Sequence, residues 1–191
     1  MAKKVIVEDK NYVLNDFFKV EEVYLQHEKF DGSMSKRMRR LNFERGDSVA
    51  VLLWNTSKQK MILTNQFRYP VHSKTQDGWI VEVIAGSLKS EEDPKEAMKR
   101  EILEEVGYQA DSLEFIHSFF VSPGGTSERI NLFYGEVTDS QKIEAGGGLA
   151  QEHEDIQILE WNKEEISVAM KNNLITDAKT LIAFLWFMQN K

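Results

Sequence analysis

Apolar residues along this chain gather in short runs broken by polar turns, and the spacing within the runs changes from one part to the next. Val49–Trp54 and Lys60–Phe67 are apolar-rich stretches flanking the turn Asn55-Thr56-Ser57-Lys58-Gln59, which reads as two strands and their connection. Ile80–Ile84, Leu113–Phe120, Ile130–Glu136 and Ile156–Glu160 are further strands. Ahead of them, Lys4–Glu8 and Phe18–Gln26 alternate only in part, and residues 4–30 supply two or three short strands. Helical spacing runs from about Pro94 to Val106 and returns over Asn162–Asn172 and Ala178–Met188. Strands outnumber helices, and helices fall between strand groups, which predicts an α/β fold with a mixed β-sheet sandwiched by helices. The first 45 residues read as strand-only, a small N-terminal β unit (1–45) ahead of a main domain at 46–191.

The helix from Pro94 to Val106 is the best specified element. Asp93 is suited to cap it, Pro94 to its first position, and Glu96 stands where a capping box needs it. Gly107 supplies the stop. Met98, Ile102 and Val106 form one apolar stripe that faces a core. Glu101, Glu104 and Glu105 crowd the adjacent face, within an arc of roughly 100°. At about 6 Å and an effective dielectric of 20, each carboxylate pair costs about 2–3 kcal/mol when partly shielded from water. A hard divalent cation with oxygen ligands relieves that repulsion. Taken alone, however, Glu-x-x-Glu-Glu is more often a solvated acidic face, where repulsion is small.

Composition narrows the chemistry. The chain has 191 residues, 41% hydrophobic and 29% charged, which suits a soluble protein with a full core. Its formal charge of −7 gives no whole-molecule attraction for nucleic acid or an anionic membrane, so neither is an expected partner. An anionic substrate must then be met by local cations or bound metal. There is no cysteine, which excludes disulfides, thiolate zinc sites and cysteine nucleophiles and fits a cytoplasmic location. The start lacks a signal-peptide core, and the apolar run Leu181–Met188 is far short of the roughly 20 residues needed to span a bilayer. His27, His72, His117 and His153 show no metal-ligand spacing or triad arrangement.

Context changes the reading of the acidic helix. From Gly86 the order is five residues, Glu92, seven residues, Arg100-Glu101-Ile102, one residue, Glu104-Glu105, one residue, Gly107-Tyr108. This resembles the Nudix box, G-x5-E-x7-R-E-U-x-E-E-x-G-U with U bulky and apolar. Every fixed position matches, with Tyr108 as the final U. Chance agreement somewhere in a chain of this length is on the order of one in a million at average residue frequencies. The likeness extends through Gln66-Phe67-Arg68-Tyr69-Pro70, Glu82-Val83-Ile84-Ala85-Gly86, Ser122-Pro123-Gly124-Gly125 with Glu128, and Ala145-Gly146-Gly147-Gly148 leading to Glu154-Asp155-Ile156. These segments are similar to the nucleotide-sugar pyrophosphatases of the Nudix family.

The resemblance implies a Nudix α/β/α sandwich with a loop–helix–loop site. It implies magnesium, with manganese as an alternative, bound by the Ala85 carbonyl, Glu101, Glu105 and Glu154. Glu104 would be a further ligand or water-orienting neighbour, and Glu105, Glu154 and Glu104 the catalytic set. Arg100 and Glu92 would hold loop to helix. Substrate contacts would come from Phe17, Arg39, Arg40, Arg68, Ala85, Gly86, Ser87, Glu128, Glu152 and Lys179.

Several of these have plainer readings on the residue alone. Arg68 is a planar fork for phosphate or one half of a surface ion pair. Lys36, Arg37, Arg39, Arg40 and Arg45 form a landing site for a diphosphate or a charge-guarded strand edge. Phe17 stacks on a base by likeness but packs in a core by default. Gly146–Gly148 is expected to make the following loop mobile. If that loop is extended, Glu152 and Glu154 point the same way, and likeness alone favours Glu154.

The implied reaction is magnesium-dependent hydrolysis of a nucleoside diphosphate sugar. GDP-mannose comes first, because Ala145–Gly148 and Thr176–Lys179 resemble that branch, and ADP-ribose is the alternative. A Nudix-fold binding module without hydrolysis is the reading from another class. Relatives exchange the N-terminal unit between subunits, which implies a homodimer.

Overall fold

The computed structural model describes residues 2–191. By contacts between residues it falls into two compact units, one reaching to Asp47 with Phe120–Arg129 added, the other Ser48–Phe119 with Ile130–Lys191.

The first unit is an antiparallel sheet of β1 (Val5–Asn15), β2 (Lys19–His27) and β3 (Met38–Glu44), with β2 in the centre. The cationic run at residues 36–45, a diphosphate landing site or a charge-guarded strand edge by sequence, contains β3. Its pairing with β2 sets Arg39 opposite Tyr24 and Arg40 opposite Val23. The segment 120–129 joins this unit at Phe43, whose N–H donates to the Gly125 carbonyl (2.8 Å) and whose carbonyl accepts from Thr126 Oγ1 (2.8 Å). Among the described residues of this unit no apolar side chain is buried.

The second unit is built on a seven-stranded mixed sheet in the order β10-β5-β4-β9-β8. Its strands are β4 (Ser48–Asn55), β5 (Lys60–Phe67), β8 (Leu113–Phe120), β9 (Arg129–Val137) and β10 (Gln157–Trp161). Two short strands complete it: β6 (Trp79–Glu82) pairs with β5 and β7 (Ile84–Ser87) with β4. The pair β4–β9 is parallel, whereas β5, β7 and β10 run antiparallel to their neighbours. Every residue of β4 is buried. Strand geometry sends alternate side chains to opposite faces, and two cores result. Ala50, Leu52 and Trp54 meet Met61, Leu63, Leu132, Phe184 and Phe187 on one face. Val49, Val51 and Leu53 meet Met98, Ile102, Val106 and Phe133 on the other.

The helices follow the sequence reading closely: α2 (Pro94–Val106), α3 (Lys163–Lys171) and α4 (Ala178–Asn190). A short α1 (Tyr69–Thr75) was not foreseen. Pro70 occupies its first turn, and Gln76 ends it in the left-handed region (φ 62°). Among the described residues no helix is long and apolar enough to cross a membrane.

Candidate active site

The helix α2 starts where its capping residues require. The Asp93 carboxylate accepts from the backbone N–H of Lys95 (2.9 Å) and Glu96 (3.2 Å). The reciprocal half of the capping box does not form, because the Glu96 carboxylate accepts from Lys99 Nζ instead (2.9 Å). The helix ends at Gly107 in the left-handed region (φ 75°). Met98, Ile102 and Val106 are fully buried, and Tyr108 is buried with its hydroxyl accepting from Asn55 Nδ2 (3.2 Å). The stripe therefore fixes the rotation of the helix, and with it the direction of the three glutamates.

Glu105 is only 2% exposed, and its Oε2 has no hydrogen-bond partner. Burial, followed by the neighbouring charges of Glu101 and Glu154, pushes its carboxyl well above the ordinary carboxylate range. Glu101 is pushed up chiefly by burial, with Arg100 opposing and Glu104 and Glu154 adding to the rise. An unpartnered buried carboxylate costs several kcal/mol unless it is protonated or meets a cation. Among the described residues no three acidic or histidine side chains stand together at ligand distance. Other partners hold them: Arg100 Nη1 donates to Glu101 (2.7 Å) and Glu104 (3.1 Å), and the Leu149 N–H donates to Glu154 Oε2 (2.9 Å). Arg100 also pairs with Glu92 (3.2 Å), and Glu92 accepts from the Lys89 N–H (3.1 Å), which ties the loop to the helix.

The strand β7 brings Ala85, Gly86 and Ser87 alongside β4, Gly86 opposite Val49. Gly86 lacks a side chain for a local reason: a Cβ there would overlap the Glu101 carboxyl.

Across the site, Arg68 Nε donates to Glu82 Oε2 (2.9 Å). Glu82 is 5% exposed and also accepts from Lys179 Nζ, which pairs in addition with Asp177 (3.0 Å). Lys179, expected to meet substrate phosphate, is thus committed to two carboxylates. Glu82 was not singled out as a residue with a role. The signal lay in the segment Glu82–Gly86, but an isolated glutamate on a strand does not announce two cationic partners.

The glycine run Gly146-Gly147-Gly148 is docked on the end of α2. All three have positive φ (71°, 106° and 84°). The N–H of Gly147 donates to the Glu105 carbonyl (2.8 Å) and that of Gly148 to the Glu104 carbonyl (3.2 Å), which satisfies open carbonyls at the helix end. A Cβ on Gly146 would lie 2.6 Å from the Val106 carbonyl carbon. The segment after it is not extended. Ala150–Glu152 forms a 3-10 turn, closed by His153 in the left-handed region (φ 58°). Glu152 is exposed, whereas Glu154 is half-buried and its charge acts on Glu101 and Glu105. The two therefore do not share one side of a strand.

The remaining candidates lie in the first unit. Arg39 pairs with Glu22, and Arg40 donates to the Arg39 carbonyl (2.9 Å). Glu128 lies 3.7 Å from Arg45. Ser122–Gly125 forms a turn in which the N–H groups of Gly125 and Thr126 both donate to the Ser122 carbonyl (3.0 Å each). Phe17 is 87% exposed and meets Phe18 edge-on (centroids 4.7 Å apart), so it is not a core residue.

A mixed sheet between helices, with a buried carboxylate on the loop-tethered helix, makes an α/β/α sandwich. Comparisons with known proteins give the family. The NUDIX domain model matches residues 44–181. The chain is 31% identical to a GDP-mannose pyrophosphatase of Pectobacterium atrosepticum, covering 95% of this chain and 93% of the relative. It is 32% identical to an ADP-ribose pyrophosphatase of Escherichia coli O6:H1, covering 89% and 81%. A crystal structure of an ADP compounds hydrolase superposes with a TM-score of 0.74 over 97% of this chain and 93% of that one, at 18% identity, a likeness of fold. The chain belongs to the Nudix family of hydrolases.

Proposed function

We propose that the protein hydrolyses the diphosphate bond of a nucleoside diphosphate sugar, with GDP-mannose as the preferred substrate and ADP-ribose the second choice. The observation that carries this reading is the buried Glu105 carboxyl, whose Oε2 has no hydrogen-bond partner, under the charges of Glu101 and Glu154. An all-oxygen donor set with excess negative charge suits a hard divalent cation such as magnesium or manganese. Glu101, Glu105, Glu154 and the Ala85 carbonyl are the groups that would hold it. When bound, it supplies charge neutralisation for the diphosphate and acidifies water.

The chain's own residues do the rest. Arg68, oriented through Nε by Glu82, leaves its terminal nitrogens for phosphate oxygens. Glu154 accepts the proton of the attacking water at a carboxylate oxygen, with Glu104 as the neighbouring group. In-line attack forms a new P–O bond and breaks the bridging one, giving a nucleoside monophosphate and a sugar 1-phosphate (ribose 5-phosphate from ADP-ribose). The likeness of Ala145–Gly148 and Thr176–Lys179 to the GDP-mannose branch, and the relative of that name, support the substrate order. Incubation with magnesium and each nucleotide sugar, with products identified by mass, should give GMP and mannose 1-phosphate as the fastest pair. No turnover of either substrate by folded protein would return the chain to a binding module.

The first unit supports a homodimer. A three-stranded sheet needs an apolar face to be covered, yet Val5, Val7, Tyr12, Val13, Leu14 and Phe17 are all exposed. A second copy covers them in this proposal and supplies Arg39 and Arg40 to its partner's substrate. Light scattering at micromolar concentration should give twice the chain mass; a fully active monomer would overturn the dimer.

A further inference from the structure

One cleft of the second unit has a wall that the catalytic reading leaves unused. The cleft measures about 290 Å³ and is lined by Gln66, Phe67, Arg68 and Trp79 on one side and by Glu152, His153, Glu154 and Asp155 on the other. Trp79 is 63% exposed and stands opposite Phe67 in the β5–β6 pair, with ring centroids 5.2 Å apart and edge to face. Phe67 is itself half exposed. Its ring packs against Gly78, where a Cβ would overlap it, and its other neighbour is His72, with centroids 5.7 Å apart. The Arg68 N–H donates to the Gly78 carbonyl (2.7 Å), so one short hairpin sets both the aromatic wall and the guanidinium.

From this juxtaposition we propose that Trp79 is the platform for the glycosyl ring of the substrate, packing its indole against one face of the sugar. The inference rests on the diphosphate-sugar reading above. Three observations carry it. Arg68 and Trp79 line the same small cleft, so the ring that reaches Trp79 is attached directly to the phosphate at Arg68. A nucleobase stands a ribose further away, and the nucleoside ribose carries a base that a cleft of this size does not admit. The opposite wall offers carboxylate oxygens at Glu152 and Asp155, which are acceptors only and match the hydroxyl donors of a sugar. That same acidity disfavours a second anionic group there. Finally, the cleft volume lies just below the about 300–1,000 Å³ usual for ligand pockets, which suits one ring rather than a nucleoside.

The test compares GDP-mannose with the methyl ester of GDP, which keeps the base and the diphosphate and lacks the sugar. Trp79→Ala should raise KM for GDP-mannose by about tenfold, the loss expected of a stacked ring. Its effect on KM for the methyl ester should be several-fold smaller, with kcat for GDP-mannose within about threefold of wild type. Trp79→Phe, which keeps a ring, should recover most of the loss. Equal KM increases for both compounds would put the base, its ribose or the phosphates against Trp79 and overturn the inference while leaving the hydrolase reading intact. A fall in kcat alone, with KM unchanged, would also overturn it. Failure of wild type to turn over either compound would remove the reading itself and this inference with it.

Discussion

Replacing Glu105 by glutamine is expected to lower turnover by about 100-fold or more, the range for losing one group that stabilises transition-state charge. The change keeps shape and helix propensity and removes one negative charge at the position where the carboxylate is buried and unpartnered. The same substitution should stabilise the metal-free protein, because the cost of the buried charge disappears. The pH dependence has a definite direction. Burial and the charges of Glu101 and Glu154 hold the folded-state carboxyl well above its ordinary value of 4.5. Such a group contributes stability that is whole below its unfolded value and is lost as pH rises through the folded one. Metal-free wild type should therefore melt at a lower temperature near about pH 8 than near about pH 5, and Glu105→Gln should reduce that difference. Added magnesium should raise the melting temperature of wild type more than that of the variant. Near-normal turnover with an unchanged melting profile would return the helix to a solvated acidic face. Calorimetry and steady-state kinetics on the two proteins read both results.

The second large effect concerns the loop glutamates. Glu154→Gln should lower kcat by about 100-fold or more, as for a positioned acid–base group, while Glu152→Gln should cost under about tenfold. Glu154 Oε2 is held by the Leu149 N–H, and the charge of Glu154 bears on both Glu101 and Glu105. Glu152 sits exposed on a 3-10 turn. Substrate affinity should change much less for Glu154→Gln, since the phosphate contact proposed for Arg68, which Glu82 orients, is untouched. Steady-state kinetics on the two variants decide the matter. The reverse order would give the role to Glu152; no effect from either would move the base to Glu104.

Much of this was legible in the chain. The apolar stripe Met98–Ile102–Val106 lies fully buried, and Asp93 and Gly107 bound the helix where their chemistry directs. Local rules reach that far because caps and faces depend on residues three or four apart. The box spacing carried the family for the same reason: its residues share one loop and one helix. The run from Lys36 to Arg45 reads equally as a phosphate landing site and as a charge-guarded strand edge, and only pairing with β2 gives the segment its form as β3. Glu82 is another case. Its partners Arg68 and Lys179 lie 14 and 97 residues away, so no local pattern marks it.

The glycines after Ala145 divide the two kinds of information most sharply. From sequence alone they read as freedom of the backbone, since glycine tolerates positive φ without cost. The tertiary structure uses that tolerance to dock the loop on the end of α2, where a side chain at Gly146 would meet Val106. Sequence by itself determined which helix carries the carboxylates, which face it buries and which family it belongs to. Only the packing of sheet, helix and loop decided that Glu105 is sealed from water, that the charge of Glu154 bears on it, and that Trp79 borders the same cleft as Arg68. Those are distances between residues remote in the chain, and they exist only once the sheet has closed.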